Sequence, residues 1–266
     1  MQHLPVKDNI ENKDNNERPL RNLLFTLRFD GSAFHGWQIQ HNAITVQQVF
    51  QEAVSAIFGS CPDIKGSSRT DSGVHANMFC ISMKTSHPIP CERMQAAVNS
   101  HLPPQVVVTS VREVPLDFHA RYSALGKRYV YKLHNSRVRD PFLRDRALWY
   151  RRPIDADMLN TVAQAYVGSH DFTSFCTLDK REIGDFVRTV SEFSVWREGE
   201  MVYFSVTADG FLYNMVRIMV GTLLFISEGG APADSLPGII SACDRSMAGP
   251  TAPACGLYLD KVFYDI

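Results

Sequence analysis

The amino-acid sequence predicts an α+β fold in which two halves of the chain share a mixed, mainly antiparallel sheet. Segment 23–29 alternates apolar and polar residues over most of its length, as a half-buried strand does. Residues 45–58 space their apolar side chains at helical intervals. Segments 186–196 and 201–208 are typical of two strands joined by a turn at Glu198-Gly199. Strands joined by such a short turn are antiparallel, which argues against a purely parallel sheet.

The first half opens with the strand at 23–29, whose odd-numbered residues are expected to face the core. The helix at 45–58 has a T-x-x-Q start, typical of a capping box, and a glycine directly after its last residue. The other elements expected here are, in order, a strand at 78–85, a helix at 92–101 ended by Pro103-Pro104, and a β-branched strand at 106–114.

The second half also mixes strands and helices. Segment 127–134 alternates Tyr129, Tyr131 and Leu133 with basic or small apolar residues, which predicts a strand. Segment 211–227 is strongly apolar and carries a single charge, Arg217, which predicts a buried helix. The remaining elements are a helix at 155–167, the hairpin described above and a closing strand at 258–264.

Composition is ordinary for a globular protein, with 45% hydrophobic and 21% charged residues in a chain of 266. We expect residues 1–21 to form a disordered polar tail, residues 22–118 an N-terminal half, and residues 119–266 a C-terminal half that completes a cleft. No apolar run reaches the length of a membrane span, and the first residues do not form a signal peptide, so a cytoplasmic protein is expected. The six cysteines include no C-x-x-C pair and there is no H-E-x-x-H motif, so no metal is expected.

The net charge of −1 hides an uneven distribution along the chain. Residues 121–152 hold ten Lys/Arg against Asp140 and Asp145 alone, whereas residues 153–266 are acidic. A basic block of this kind forms either a solvated face or a surface that binds a polyanion.

The loop at 68–76 gathers several chemically active side chains between a predicted helix and a predicted strand. It contains the carboxylate of Asp71, the guanidinium of Arg69 and the imidazole of His75 within nine residues. Such a segment is either a polar turn or a site held between rigid elements.

Arg217 is the second unusual residue, because a lone charge in an apolar helix is costly to bury without a partner. Its side chain either reaches water or meets a carboxylate. An arginine next to Asp71 would favour the ionised form of that carboxylate.

Eight segments match, in order, the motifs of one family: Asp30-Gly31 with Gly36-Trp37-Gln38, Thr45-Val46-Gln47, Arg69-Thr70-Asp71-Ser72-Gly73-Val74-His75-Ala76, Phe118-His119-Ala120-Arg121, Lys127-Arg128-Tyr129-Val130-Tyr131, Gly168-Ser169-His170-Asp171-Phe172, Gly210-Phe211-Leu212-Tyr213-Asn214-Met215-Val216-Arg217, and Thr251-Ala252-Pro253-Ala254-Cys255-Gly256-Leu257-Tyr258-Leu259. In these motifs the chain resembles the TruA family of tRNA pseudouridine synthases. The resemblance runs from about residue 22 to residue 266. Ser68, Ser72 and Phe29 stand where the family often has Gly, Ala and Tyr, and none of these changes removes a candidate catalytic group.

The resemblance implies the pseudouridine synthase fold, with a basic cleft between the two halves. It also implies an isomerase that converts uridine to pseudouridine in tRNA, at positions 38, 39 and 40 of the anticodon arm, without a cofactor or a metal. Asp71 would be the catalytic nucleophile and Arg217 its ion-pair partner. Three routes stay open: Asp71 attacks the ribose C1′, attacks the uracil C6, or promotes a glycal intermediate.

The same resemblance implies how the substrate is held. Tyr129 would stack on the uracil and assist removal of its C5 proton, while Leu257 would pack on the other face of the base. Arg69 would help to displace the flipped nucleotide, and a homodimer would hold the tRNA. The basic residues expected to contact tRNA are Arg121, Lys127, Arg144 and Arg146.

Two other functions are compatible with parts of the pattern. A non-catalytic RNA-binding protein on the same fold would keep the basic block without needing Asp71. A hydrolase would use Asp71 with His75 or His119 as a base, although no nucleophile elbow supports it.

Overall fold

The computed structural model describes residues 19–60, 62–177 and 184–266. Within these ranges the chain forms a single mixed sheet of ten strands together with five α-helices, which confirms the predicted α+β class. The strands are β1 Arg21–Phe29, β2 Ile64–Gly66, β3 His75–Thr85, β4 Val106–Val114, β5 Gly126–Asn135, β6 Leu148–Tyr150, β7 Gly168–Asp171, β8 Val187–Glu198, β9 Met201–Ala208 and β10 Leu257–Phe263. The helices are α1 Val46–Phe58, α2 Cys91–Asn99, α3 Ala156–Ala163, α4 Met215–Ser227 and α5 Leu236–Ser241.

The order of strands in the sheet explains how the two halves meet. The main path runs β4-β1-β3-β10-β5-β9-β8-β7, with β2 beside β3 and β6 beside β5. The last strand, β10, therefore inserts between β3 of the first half and β5 of the second. It runs parallel to β3, with Tyr258 opposite His75 and Leu259 opposite Ala76, and antiparallel to β5. Because β3 and β10 are parallel, the loops that precede them meet at the same edge of the sheet.

The core forms where the sequence patterns predict it. Leu23, Phe25 and Leu27 of β1 are fully buried, and Phe25 packs edge-on against Phe50 of α1 with ring centroids 5.4 Å apart. Helix α1 starts after Thr45, whose side chain accepts a hydrogen bond from the Gln48 amide. The side chain of Gln48, the other residue of the predicted capping box, donates through Nε2 to Glu52 Oε1 at 2.9 Å.

Two predicted helices differ from the observed ones. The helix expected at 155–167 ends as α3 at Ala163 and continues as a 3-10 turn, Gln164–Tyr166. The helix expected from residue 211 starts only at Met215, because Asn214 has the left-handed backbone (φ 62°), which interrupts a helix. Residues 211–214 thereby lie outside the helix and end in a turn, in which the Met215 amide donates to the Leu212 carbonyl at 3.1 Å, and they line the cavity of the candidate site. Strands β2, β6 and β7 and helix α5 were not predicted, since three to six residues are too few to show a period.

The predicted N-terminal tail differs slightly from the structure at its last residue. Strand β1 starts at Arg21, which was assigned to the tail, and its Nε donates to Glu113 Oε1 at 2.8 Å. Residues 1–18 of the predicted tail lie outside the described residues. No helix in the described ranges has the length and apolar character to span a membrane. The division between halves at 118 and 119 stays a prediction.

Candidate active site

The loop that carries Asp71 lies at the N-terminal end of strand β3 and is fixed there by backbone hydrogen bonds. It leads into β3 through a tight turn, in which the Val74 amide donates to the Asp71 carbonyl at 3.1 Å. The Trp37 amide donates to the Thr70 carbonyl at 3.0 Å, which fixes the residue before Asp71. Gly36 makes this approach possible: its φ is +85°, and a Cβ there would lie 2.5 Å from the Thr70 oxygen. The Asp71 backbone is therefore set by the packing of two loops.

Arg217 meets Asp71 across the two halves. In the first turn of α4, its Nη1 lies 3.0 Å from Asp71 Oδ2 and 2.8 Å from Asn214 Oδ1, while its Nε donates to the Ala252 carbonyl at 2.8 Å. The two side chains of the pair are 18% and 29% exposed. Of the two readings of Arg217 left open by the sequence, the structure shows the one in which it meets a carboxylate. Three bonds to a planar guanidinium leave it little rotational freedom.

A cavity of about 630 Å³ opens beside this ion pair. Asp71 is the only carboxylate among its described lining residues, and it faces four cationic side chains. Such a lining favours an anionic ligand that reaches Asp71. The predicted site residues found in the lining are Arg69, Asp71, Arg121, Lys127, Tyr129, Arg217 and Leu257.

Tyr129 forms part of the cavity wall from strand β5. Its ring is 7% exposed and meets the ring of Phe211 edge-on, with centroids 5.0 Å apart. Its hydroxyl donates to Ser68 Oγ over a long 3.4 Å. Burial, with a smaller effect from the nearby Asp71 charge, raises the pKa of Tyr129 to about 12, so its phenol is neutral at physiological pH.

Lys127 and Arg121 supply positive charge on the same wall. Burial, followed by repulsion from Arg121, lowers the pKa of Lys127 to about 8. Burial and the charge of Arg121 thus disfavour the charged form of Lys127. An anion that enters the cavity would favour this charged form and stabilise it.

Arg144 and Arg146 do not line this cavity. The Arg146 guanidinium lies 3.0 Å from Asp30 Oδ2, and Arg144 is 84% exposed beside Asp145. The basic block is thus divided: Arg121 and Lys127 face the cavity, Arg128 pairs with Asp260 at 2.7 Å, and Arg139 covers the Trp149 ring. The predicted roles of Arg144 and Arg146 in tRNA contact stay predictions.

The histidines that a hydrolase would use as bases are engaged elsewhere. His75 is 2% exposed; its Nδ1 accepts from the Gly31 amide at 3.0 Å, and its Nε2 lies 3.2 Å from the Cys255 carbonyl. His119 Nδ1 accepts from the Arg121 amide at 3.1 Å. Neither imidazole is among the lining residues of the cavity. The hydrolase alternative therefore has no positioned base among these two residues.

Sequence reasoning missed several residues that shape the site. Asn214 orients Arg217, Ser68 accepts the Tyr129 hydroxyl, Phe211 supports the Tyr129 ring, and the Ala252 carbonyl accepts from Arg217. Only Asn214 had a usable signal, because asparagine is enriched where a non-glycine residue takes the left-handed conformation. Across the described residues, no group of three or more His, Cys, Asp or Glu is placed to hold a metal ion.

Comparison with known protein families shows which family the chain matches. A family model described as tRNA pseudouridine synthase matches residues 26–123 and 162–265. The chain belongs to the tRNA pseudouridine synthase family. The matched ranges of this synthase family contain Asp71, Arg217 and Leu257, and they leave out residues 124–161, which hold Tyr129 and Lys127.

Individual members of the synthase family match almost the whole chain. The chain is 42% identical to the tRNA pseudouridine synthase A of Acetivibrio thermocellus, over 92% of this chain and 100% of that protein. It is 41% identical to the tRNA pseudouridine synthase A of Halalkalibacterium halodurans, over 90% of both chains. Among solved structures, a Cbf5-Nop10-Gar1 complex aligns with 80% of this chain and 54% of that chain, at 12% identity and a TM-score of 0.36.

Proposed function

We propose that this protein isomerises uridine to pseudouridine in tRNA, with Asp71 as its catalytic carboxylate. The observation that carries the proposal is the Asp71–Arg217 ion pair of 3.0 Å, set in the wall of a cavity that also presents cationic and aromatic side chains. A carboxylate can act as a nucleophile when it stays ionised and lies close to the reacting carbon. Arg217 serves the second need, because its bond to Asp71 Oδ2 limits the rotation of that carboxylate.

The reaction is an isomerisation whose atoms balance without a co-reactant. The bond between N1 of uracil and C1′ of ribose breaks, the base turns, and a bond forms between C5 and C1′. C5 then loses its proton and N1 gains one. Asp71 can start this sequence by attack at C1′, by attack at C6, or by promoting a glycal, and all three routes need the carboxylate close to the glycosidic bond.

Tyr129 and Leu257 are suited to hold the uracil while it turns. They stand on neighbouring strands, since β5 and β10 pair with Leu259 opposite Tyr129 and Leu257 opposite Tyr131. The target base must leave its stack to reach Asp71, which costs a few kcal/mol that an aromatic and an aliphatic wall partly offset. Tyr129 would also assist removal of the C5 proton.

The remaining proposed contacts concern the rest of the tRNA. Arg69, Arg121 and Lys127 would bind phosphates at the cavity, and Arg144 and Arg146 would bind phosphates outside it. We further propose positions 38, 39 and 40 of the anticodon arm as targets, a homodimer as the working form, and the cytoplasm as the location. These proposals follow from membership of the family.

The direct test uses unmodified tRNA carrying tritium at uracil C5. Isomerisation releases this tritium to water, and sequencing of the product should place pseudouridine in the anticodon arm. One arm of the experiment uses protein dialysed against EDTA, and its activity is expected to survive. Tight tRNA binding without tritium release would instead support the non-catalytic RNA-binding alternative, and loss of activity that a metal restores would contradict the metal-free reaction.

A further inference from the structure

We propose that His75 is a positioning residue that sets the distance between the Asp71 carboxylate and the wall of the cavity that holds the base. The inference rests on the proposed function, because the distance matters only if a base is held there for Asp71 to attack. Its basis is a set of contacts by which one buried imidazole joins loops from both halves of the chain.

On the side of the first half, His75 is tied to the segment after β1. The Gly31 amide donates to its Nδ1 at 3.0 Å, and Asp30 Oδ1 lies 3.3 Å from the same nitrogen. His75 itself is the first residue of β3, one residue after Val74, whose amide holds the Asp71 carbonyl. A shift of the imidazole therefore displaces the turn that presents Asp71.

On the side of the second half, His75 is tied to the loop before β10. Its Nε2 lies 3.2 Å from the Cys255 carbonyl, two residues before Leu257. Its ring stacks on Tyr258, with centroids 4.5 Å apart and planes inclined by 18°. The Tyr258 hydroxyl donates to the Arg146 carbonyl at 2.7 Å, and the Arg146 guanidinium forms an ion pair with Asp30. These contacts close a ring that crosses between the halves twice.

The two halves meet where β3 pairs with β10, and this backbone pairing is short, so side-chain contacts are needed to fix their relative position. Strands β3 and β10 pair at two positions, His75 with Tyr258 and Ala76 with Leu259. Asp71 belongs to the first half, whereas Leu257 belongs to the second. A displacement of about 1 Å between reacting groups can lower a rate about 100-fold.

The contacts also specify one protonation state of His75. Nδ1 accepts from an amide, so Nε2 carries the proton and donates to the Cys255 carbonyl. Protonation of Nδ1 would remove the acceptor for the Gly31 amide. Burial lowers the pKa of His75, and Lys132 acts in the same direction, while Asp30 and the backbone oxygens of Asp145 and Cys255 oppose this. The other groups packed on the ring are the neutral phenol of Tyr258 and, beyond it, Lys132, whose Nζ lies 3.8 Å from the centroid of the Tyr258 ring.

The test compares three variants in single-turnover tritium release. H75N keeps an acceptor near the Gly31 amide but is too short to reach the Cys255 carbonyl, and we expect its rate to fall at least about tenfold with KM changed less than about threefold. H75Q can still donate to Cys255, and we expect it to recover most of that loss. N77A is the matched control, because Asn77 Nδ2 joins the same two strands through Asp260 at 3.0 Å, two residues further from the loop. Its rate should stay within about twofold of wild type.

Two further readouts separate positioning from general destabilisation. Hydrogen exchange of residues 68–76 and 251–257 should speed up in H75N and not in N77A. In wild type, kcat should fall at acid pH as His75 becomes protonated. This fall should lie below pH 6.5, the ordinary pKa of histidine, because the pKa of His75 is lowered. H75Q cannot be protonated at this position, so the fall in kcat caused by His75 should be absent from its pH profile.

The outcomes distinguish this proposal from the proposed function. If wild-type protein releases no tritium, the proposed function fails, while hydrogen exchange still reports whether His75 couples the two loops. An H75N rate near wild type, or an equal loss in N77A, would overturn the positioning role. If H75N does not fold, H75Q decides: an acid-side fall of kcat that is unchanged from wild type would contradict the proposal.

Discussion

Arg217 and Asp71 stand 146 positions apart in the sequence, yet Arg217 Nη1 lies 3.0 Å from Asp71 Oδ2. Each residue comes from a different half, and each is held by its own neighbours: Asp71 by the turn to Val74, Arg217 by Asn214 and the Ala252 carbonyl. The pair therefore joins two parts of the chain that are far apart in the sequence and meet in one sheet. The proposed chemistry is thereby coupled to the junction between β3 and β10.

Arg217→Lys tests whether the guanidinium geometry matters beyond its charge. A lysine keeps the positive charge but cannot bond Asp71, Asn214 and Ala252 together, so kcat is expected to fall about 100-fold. The measurement is single-turnover tritium release. Arg128→Lys is the matched control, since Arg128 pairs with Asp260 at 2.7 Å outside the cavity lining, and it should stay close to wild type. Equal effects of both changes would remove the special role of Arg217.

Tyr129→Phe separates the aromatic ring from the hydroxyl. The ring contact with Phe211 is kept, and the lost bond to Ser68 is long at 3.4 Å, so the melting temperature should hardly change. If the phenol takes part in proton transfer, kcat is expected to fall about 100-fold or more. The pKa of about 12 predicts no loss of activity from Tyr129 ionisation below pH 10. A wild-type rate for Tyr129→Phe would limit Tyr129 to stacking.

Lys127→Met tests whether burial of the charged Lys127 ammonium lowers the free energy of unfolding. The pKa of Lys127 in the folded protein is about 8, below its ordinary 10.5, so its burial destabilises the fold fully below pH 8 and not above pH 10.5. Methionine should therefore raise the melting temperature at pH 7, with a smaller gain at pH 10, and should weaken tRNA binding. Lys261→Met removes the same charge from an exposed position of β10 and should do neither. A lower melting temperature for Lys127→Met at pH 7 would contradict the proposed cost of burial.

Arg144→Glu combined with Arg146→Glu tests the contacts proposed outside the cavity. Each lost phosphate contact should lower the slope of log Kd against log salt by about 1. The single variants separate the two residues, because Arg146 also pairs with Asp30, whereas Arg144 pairs with its neighbour Asp145 at the surface. Lys84→Glu, at an exposed position of β3, is the control for net charge. An unchanged salt slope would exclude both arginines from the tRNA footprint.

The sequence predicted the elements that have a clear period and the motif loops between them. Strands β1, β4 and β5, helix α1 and the β8–β9 hairpin lie where alternation or helical spacing placed them, within a few residues. The candidate residues Asp71, Tyr129, Arg217 and Leu257 were named from motifs, and all four line one cavity.

The tertiary arrangement could not be read in the same way. Alternation assigns Tyr129 to a strand face, but only the insertion of β10 between β3 and β5 brings that face to Asp71. The sequence left the basic block as either a solvated face or a polyanion-binding surface. Its side chains instead point in different directions, and within β5 they do so because neighbouring residues of a strand lie on opposite faces. Arg128 consequently meets Asp260, while Lys127 and Tyr129 line the cavity.

The central claim is that Asp71 acts as a carboxylate and does more than support the loop. Asp71→Asn tests it most directly, because the amide keeps the size of the side chain and an oxygen to accept from Arg217, but loses the charge and the nucleophilicity. Asp71→Ala and wild type complete the series, with tritium release and tRNA affinity measured on the same preparations. We predict that both variants bind tRNA with nearly wild-type affinity and release tritium at least about 1000-fold more slowly. Tritium release by Asp71→Asn at a rate near that of wild type would contradict the account.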